Sequence, residues 1–201
     1  MEIKSVGGRK FLVLSWRDVE LGADALAEKI VDGRCSVDTI IGVLRGGMIV
    51  ADFLSDILDV REVYVIGCRS YTGTVSTELK IYHDLALDRL DGRNVLLVDD
   101  VADTGSTLDA AVEKILKPRN PERVTTATLL KKPWSRYTPD YYVEETDAWI
   151  VFPWERVEAV KTVGKIFVEN MGFDVAVDEL ATLSRLAREK VLSVIKPLQR
   201  T

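Results

Sequence analysis

The residues best suited to chemistry lie in one stretch, 95–108, which reads VLLVDDVADTGSTL. Apolar residues run into Asp99 and Asp100, and Asp103 follows shortly after, in front of Thr, Gly, Ser and Thr at 104–107. Carboxylates suit hydroxyl groups or a divalent cation, and the N–H groups and dipole at the start of a helix favour a phosphate. The stretch therefore predicts a ligand with phosphate at one end and hydroxyls or a metal ion at the other. The alternative is a pair of solvated aspartates before an ordinary capped helix, and it leaves most of these positions without a role.

The elements that must position these residues are short apolar runs that alternate with helical segments, which predicts an α/β fold with a parallel sheet. Ligands of such sheets bind outside the carboxyl ends of the strands, and Asp99 and Asp100 fall at such an end. The stretch 69–84 is polar and predicts a long loop or a flexible hairpin, of the kind that often forms a functional lid. The predicted strands are 11–14, 39–44, 62–68, 94–98, 123–130, 141–143 and 149–152, and the predicted helices are 16–30, 48–58, 107–116, 155–169 and 177–195.

Composition excludes several classes of protein. A chain of 201 residues with 47% hydrophobic residues is typical of a single folded domain. The net charge of -5 argues against a protein that binds duplex nucleic acid, whose binding face is usually basic. The only histidine in the sequence is His83, which excludes a zinc helix that needs two histidines; we interpret it as a bystander.

Cysteine usage and hydropathy indicate the compartment. Cys35 and Cys68 form no C-x-x-C pair, which disfavours a zinc ribbon or a disulfide scaffold and suits a reducing compartment. The apolar run near the N-terminus, 11–14, is shorter than an export signal or a membrane span requires. We therefore expect a cytoplasmic protein that binds neither a membrane nor nucleic acid.

The pattern at 95–107 resembles the signature with which type I phosphoribosyltransferases bind 5-phosphoribosyl 1-pyrophosphate (PRPP). Four apolar residues, two acidic residues and two small or apolar residues precede Asp-Thr-Gly-Ser-Thr. The resemblance covers about 16–155 and is strongest to the 6-oxopurine enzymes, especially the xanthine-guanine type. It implies a parallel sheet flanked by helices, with a small base-binding hood. The phosphoribosyltransferase core would span 1–155, and a helical C-terminal extension, 156–201, would pack on the core or at an oligomer interface.

The resemblance assigns PRPP binding to two segments. In the first, residues 41–47 (IGVLRGG) resemble the pyrophosphate loop of the family, so that Arg45 and Gly46 would hold the pyrophosphate. In the second, Asp99 and Asp100 would hold the ribose hydroxyls and Mg²⁺, with Asp100 as the metal-side residue, and 103–107 would hold the 5′-phosphate. Asp103 also takes the place of the family's acid/base aspartate near N7 of the purine, and we count Asp99 and Asp100 with it as catalytic. The PRPP-binding residues implied in this second segment are Asp99, Asp100, Val101, Ala102, Asp103, Thr104, Gly105, Ser106 and Thr107.

A lid and a base-binding strand are implied by further similarities. Ser70 and Tyr71 resemble the Ser-Tyr element of the family's mobile loop, and Lys80 ends a Glu-Leu-Lys run that xanthine-guanine members also carry. Those members have an arginine at the position of Thr77, and in this chain Arg69 or Lys80 could replace it.

The lysine of a Lys-Pro step contacts the purine O6 in the family, and Lys132 occupies that place. Trp149 would stack on the purine, and the backbone of Ile150 would hydrogen-bond the base edge. An ammonium group donates to the carbonyl of a 6-oxopurine and has no acceptor for the amino group of adenine, so adenine should be a poor substrate.

The activity implied by the resemblance is transfer of the phosphoribosyl group from PRPP to guanine, xanthine or hypoxanthine. The products would be a nucleoside 5′-monophosphate and pyrophosphate, with Mg²⁺ as cofactor, in purine salvage and in a homodimer or a higher homo-oligomer. One alternative is a regulatory protein that senses PRPP and has little activity. A PRPP-making pyrophosphokinase would need a longer chain, and orotate or uracil transferases give no reason for the Lys-Pro step and the Trp-Ile pair.

Overall fold

The structure is a computed structural model that describes residues 2–6, 8–72 and 77–197. The chain divides into two compact units. One unit is formed by Val19–Thr146, and the other by the N-terminal residues up to Asp18 together with the residues from Asp147 onward. The expected division into a core over 1–155 and an extension over 156–201 stays a prediction.

The unit Val19–Thr146 is built on a six-stranded sheet in the order β5-β4-β3-β6-β7-β8. All neighbours are parallel except β5, which pairs antiparallel with β4 at one edge. The α/β architecture, with helices flanking a sheet rich in parallel strands, confirms the fold predicted from the sequence. The strands are β3 (Thr39–Leu44), β4 (Glu62–Thr72), β5 (Thr77–His83), β6 (Asn94–Ala102), β7 (Arg123–Lys131) and β8 (Tyr141–Glu145).

The helices of this unit are α1 (Trp16–Asp32, which begins in the other unit), α2 (Gly46–Ile57) and α3 (Ser106–Ala110). The chain continues from α3 through a π-helical turn, Ala111–Leu116, and a 3₁₀ turn, Lys117–Arg119. Buried apolar side chains of β3, β6 and the helix after β6 form one core, which includes Ile41, Leu97, Leu108 and Ile115. The predicted helix 107–116 is thus confirmed, with a change of helical type in its second half.

The polar stretch 69–84 forms mostly a hairpin rather than a long loop. β4 continues to Thr72 and pairs with β5 in a register that sets Ser70 opposite Leu79. The predicted strand 62–68 is therefore too short, because antiparallel pairing with β5 extends it through residues whose polar composition gave no strand signal.

The second unit contains a three-stranded sheet in the order β1-β2-β9. These strands are β1 (Glu2–Val6), which the sequence did not predict, β2 (Arg9–Val13) and β9 (Trp149–Val151). Three helices cover the sheet: α4 (Arg156–Met171), α5 (Phe173–Ser184) and α6 (Arg188–Ile195). Phe11 of β2 meets Phe167 of α4 edge to face, with ring centroids 5.8 Å apart, and both side chains are buried.

The single helix predicted over 177–195 is wrong, because the structure has two helices there. Arg185 adopts a left-handed conformation with φ 53° and ends α5, and α6 begins after Ala187. Glycine or asparagine usually marks such a position, so an arginine gave no stop signal. No helix among the described residues is both long enough and apolar enough to cross a membrane.

Candidate active site

Two loops meet where the strand order of the large sheet reverses. β3 and β6 are parallel neighbours, and the chain continues from β3 toward β4 on one side and from β6 toward β7 on the other. Arg45 is exposed at the turn between β3 and α2, after a cis peptide bond with Leu44. Asp99 and Asp100 lie in the last part of β6. Open α/β sheets bind ligands in the crevice at such a reversal, so the fold brings the predicted pyrophosphate loop beside the predicted ribose-binding carboxylates.

Close packing explains the two glycines that follow Arg45. Gly46 and Gly47 are buried in the first turn of α2, against the end of β6. A Cβ atom added to Gly46 would overlap the carboxylate of Asp100, and one added to Gly47 would lie 2.8 Å from the Cα of Asp99. Only glycine lets the backbone of α2 approach β6 this closely.

The two carboxylates at the end of β6 suit a metal ion that arrives with its substrate. Asp100 is 9% exposed, and its N–H donates to Oδ1 of Asp99 at 2.9 Å. Across 2–6, 8–72 and 77–197, no group of three or more His, Cys, Asp and Glu residues is placed to hold a metal by itself. Mg²⁺ prefers oxygen ligands and is commonly held by one or two carboxylates together with substrate phosphates. The donor set therefore fits Mg²⁺ shared with a phosphate-bearing substrate.

The turn between β6 and α3 has the geometry of a phosphate loop. Gly105 adopts φ +82°, and a Cβ there would also lie 2.6 Å from the backbone N of Tyr137. The hydroxyl oxygens of Thr104 and Ser106 are 2.9 Å apart. Ser106 and Thr107 open α3, where the first N–H groups of a helix have no partner within the helix. The predicted phosphate-binding residues, 103–107, are thus contiguous in space as well as in sequence.

A cavity of about 600 Å³ opens beside this turn. Besides loop residues, its lining includes Trp134, Arg136 and Tyr137 from the segment after β7, and the N–H of Arg136 donates to the carbonyl of Thr104 at 3.1 Å. No motif in the sequence indicates a role for these three residues. Only their position, shortly after the Lys-Pro step, could have indicated that they lie near the site.

Asp103 and Lys132 are linked through Trp134, a residue for which the sequence predicted no role. The indole N–H of Trp134 donates to Oδ1 of Asp103 at 2.9 Å, and Nζ of Lys132 lies 5.3 Å from the centroid of the Trp134 ring. Lys132 is 7% exposed, and its backbone N–H donates to the carbonyl of Ala102.

The neighbouring lysine is engaged elsewhere. Nζ of Lys131 is 2.7 Å from the Glu145 carboxylate and 5.7 Å from the Tyr142 ring centroid, both on β8. This ion pair ties Lys131 to the sheet and favours Lys132 as the base-reading lysine, which stays a prediction.

The remaining parts of the predicted PRPP site occupy β6. Val101 is half-buried and pairs with Leu130 of β7, while Ala102 is buried. These two residues join the two carboxylates to the predicted phosphate loop, so the predicted segment 99–107 runs from the end of β6 through a turn into α3.

The predicted lid lies on the β4–β5 hairpin. The backbones of Ser70 and Tyr71 belong to β4, and their side chains lie outside the described part of the structure, as do residues 73–76. Lys80 is exposed on β5, and its backbone pairs with that of Arg69. The two candidates for the missing lid arginine therefore occupy matching positions on the two strands.

The predicted base-binding strand is β9, which belongs to the other unit. β9 pairs in parallel with β2, and this register sets Phe11 against Trp149 and Leu12 against Ile150. Trp149 is 43% exposed. An exposed tryptophan on a short strand suits stacking on a ligand better than packing in a core.

Cys68 and His83 lie outside the predicted site, and neither has a chemical role in it. Burial, together with the charges of Asp99 and then Asp84, raises the pKa of Cys68 to about 11, so this thiol stays protonated and unreactive near neutral pH. His83 is exposed at the end of β5.

Comparison with known proteins agrees with this geometry. The phosphoribosyl transferase domain family matches residues 13–157. The xanthine-guanine phosphoribosyltransferase of Cereibacter sphaeroides is 32% identical over 149 residues, which cover 71% of this chain and 85% of that protein.

Two solved structures share the fold. A purine phosphoribosyltransferase from Pyrococcus horikoshii has a TM-score of 0.64 and 39% identity over 72% of this chain and 93% of its own. The xanthine-guanine-hypoxanthine phosphoribosyltransferase of Helicobacter pylori has a TM-score of 0.65 and 29% identity over 76% of this chain and 99% of its own. The resemblance seen in the sequence signature is confirmed, and the chain belongs to the phosphoribosyl transferase family.

Proposed function

We propose that this protein transfers the 5-phosphoribosyl group from PRPP to a 6-oxopurine base and releases pyrophosphate, as a pentosyltransferase of purine salvage. The observation that carries the proposal is the complete acidic and phosphate-loop segment, 99–107, facing the Arg45 loop at the strand-order reversal. The relatives named for purine and xanthine-guanine transfer support the choice of a purine base.

The leaving pyrophosphate would be held by the turn after β3. Arg45 offers a planar fork of donors suited to phosphate oxygens, and the N–H groups in the first turn of α2 add to it. Charge develops on the pyrophosphate as the C1–O bond breaks, and fixed donors aimed at that charge stabilise the transition state.

The ribose and its 5′-phosphate would lie along 99–107. Asp99 and Asp100 would accept hydrogen bonds from the ribose hydroxyls and hold Mg²⁺, partly through water. When bound, Mg²⁺ supplies Lewis-acid stabilisation of the pyrophosphate. The hydroxyls of Thr104 and Ser106, with the N–H groups that open α3, would hold the 5′-phosphate.

The base would be read by four residues. Asp103 would move the proton at N7 as general base, and Lys132 would donate to O6, which selects a carbonyl over an amino group. Trp149 would stack on the ring, and the Ile150 backbone would hydrogen-bond the base edge.

The hairpin of β4 and β5 would act as a lid. Ser70, Tyr71 and Lys80 would close over the site, and they would exclude water that would otherwise hydrolyse the ribosyl cation.

The test is pyrophosphate release, measured with Mg²⁺ and PRPP and each nucleobase in a separate reaction. We expect release with guanine, xanthine or hypoxanthine, together with formation of the nucleoside 5′-monophosphate, and little release with adenine. PRPP binding without release in any reaction would contradict an enzyme and support a sensor. Equal release with no base present would mean hydrolysis rather than transfer.

We also propose a cytoplasmic location, a homodimer or a higher homo-oligomer, and a helical extension that begins at 156. The helices of the extension contribute Val160, Phe167 and Leu180 to one core with Phe11 of β2 and Val151 of β9, which supports packing on the base-binding strands. Sedimentation equilibrium of the full chain tests the oligomer; a monomer across micromolar concentrations would contradict it.

A further inference from the structure

Trp134 contacts Asp103 and Lys132, the two side chains of this unit that the proposed function assigns to recognition of the purine. Its indole Nε1–H donates to Oδ1 of Asp103 at 2.9 Å, and its ring lies 5.3 Å from Nζ of Lys132. A tryptophan side chain has one N–H donor and an extended π system. Here the N–H donates to Asp103, and the ring faces the ammonium of Lys132.

The backbone around Trp134 is held at two points. Trp134 sits in a turn after β7 in which the N–H of Ser135 donates to the carbonyl of Lys132 at 3.0 Å. The N–H of Arg136 donates to the carbonyl of Thr104, which fastens the same segment to the phosphate loop. The indole is therefore anchored between the loop that carries Asp103 and the strand end that carries Lys132, although 55% of the residue's surface is exposed.

We propose that Trp134 is a positioning residue that fixes the carboxylate of Asp103 and the ammonium of Lys132 in one arrangement, so that N7 and O6 of the same purine are engaged together. The proposal rests on the proposed function. The indole hydrogen bond engages Oδ1 and restricts rotation of the carboxylate, which keeps Oδ2 as an acceptor for the purine proton. The ring face attracts the ammonium of Lys132 and thereby restricts the positions that this side chain adopts.

Two substitutions separate the two contacts. Trp134→Phe keeps an aromatic face for Lys132 and removes the N–H donor to Asp103, whereas Trp134→Leu removes both. We expect Trp134→Phe to lower kcat with the preferred base about tenfold or more, the range for a lost hydrogen bond to a charged group, and to leave the KM for PRPP within about twofold of its original value. We expect Trp134→Leu also to narrow the preference for 6-oxo over 6-amino purines. Trp16→Phe is the matched control, because Trp16 is similarly exposed, at 49%, and belongs to the other unit.

A spectroscopic readout tests the contact without turnover. The chain has four tryptophans, and the indole N–H signal of Trp134 is the one that Trp134→Phe removes from the ¹H–¹⁵N spectrum. We expect Asp103→Ala to shift that signal toward the position of a solvent-exposed indole, while the other indole signals stay in place.

The outcomes separate the inference from the function on which it rests. A wild-type protein that forms no nucleotide with any base would overturn the proposed function and this inference with it. If the wild-type protein is active, three results would overturn the inference alone. These are an unchanged kcat in Trp134→Phe, a rise only in its KM for PRPP, or an indole signal of Trp134 that does not shift in Asp103→Ala.

Discussion

Asp103 is the residue whose role the geometry defines most narrowly. It lies just beyond β6, exposed, at the first position of the predicted phosphate loop, and its side chain accepts a hydrogen bond from the indole of Trp134. A general base must stand within hydrogen-bond reach of the proton that it removes. The turn that carries Asp103 also carries the 5′-phosphate loop, so binding of the substrate's phosphate would set the distance from this carboxylate to the base.

We expect Asp103→Asn to lower kcat by about 10²–10⁴-fold, the usual contribution of a general acid or base. The amide keeps the shape of the carboxylate and an oxygen that can accept from Trp134, so binding of PRPP, measured by calorimetry, should change little. Unchanged turnover would remove the general-base role from Asp103, and lost PRPP binding would mean that the residue serves the phosphate loop.

Lys131 and Lys132 offer a matched pair of substitutions. We expect Lys132→Ala to reduce the ratio of kcat/KM for guanine over adenine, because the ammonium that would donate to the 6-oxo group is lost. Lys131→Ala should leave that ratio unchanged, since its ammonium is held by Glu145. Kinetics with both bases check this, and a change of preference in Lys131→Ala alone would reverse the assignment.

The signature gave the contiguous residues of the site, but it could not give the residues that support them from elsewhere. Asp99, Asp100 and 103–107 can be proposed from the sequence because their types and spacing have a chemical meaning, and their roles stay predictions. Trp134 and Arg136 were not, because an indole that meets a carboxylate across a turn leaves no periodic pattern in the sequence.

At the scale of the elements, the side chain of Arg119 makes three contacts that hold the segment between β5 and β6. Arg119 donates to the carbonyl of Leu87 and to that of Ile115, each at 2.7 Å, and pairs with the Asp84 carboxylate at 2.9 Å. Its side chain is 15% exposed. This residue joins the end of the β4–β5 hairpin to the end of the helical segment that begins with α3.

We expect Arg119→Ala to lower the free energy of unfolding by about 1.5–3 kcal/mol, because two partly buried carbonyls lose a charged donor. The matched control is Lys117→Ala, which removes an exposed pair with Glu113 and should therefore change the free energy of unfolding far less. Urea denaturation of the three proteins measures the difference. Equal stability of the two variants would mean that the segment is held by other contacts.

The effect of Arg119→Ala should depend on pH. The N–H of Leu85, and after it Arg119, hold the pKa of Asp84 below its ordinary value. A carboxyl with a lowered pKa stabilises the fold above its unfolded pKa, and that stability is lost as the pH falls through the folded pKa. The part of the difference due to Asp84 should therefore be present at pH 7 and decline below about pH 4.

Regular elements with strong patterns were predictable, and their continuations were not. α1 and β3 follow from apolar periodicity and from a continuous apolar run. The extension of β4 to Thr72 depends on pairing with β5, and the break at Arg185 depends on a backbone conformation that arginine adopts only rarely. Tertiary pairing and local strain decided these cases.

At the scale of the whole molecule, the helices after β9 pack on β9, the predicted base-binding strand. Their buried side chains share one core with β2 and β9. The net charge of -5 says little about anionic substrates, because Asp99, Asp100 and Asp103 add to the acidic count where hydroxyls and a cation are expected.

We expect Phe167→Ala to lower the free energy of unfolding of the unit that contains β9 by about 3–5 kcal/mol, the cost of removing a buried aromatic side chain. Lys165→Ala, on the exposed face of the same helix, should stay within about 0.5 kcal/mol of the original protein. Thermal unfolding followed by circular dichroism compares them. A small loss in Phe167→Ala would mean that the helices are not needed to hold this sheet.

The close approach of α2 to β6 also limits how this lineage can change over time. Because a Cβ at Gly46 would occupy the space of the Asp100 carboxylate, a larger residue at 46 requires that carboxylate to move away or to be replaced by a smaller side chain. Either change displaces or removes the carboxylate to which the proposed function assigns the ribose hydroxyls and Mg²⁺. Gly46 is thereby constrained as strictly as a residue that touches substrate, although its own constraint comes from packing.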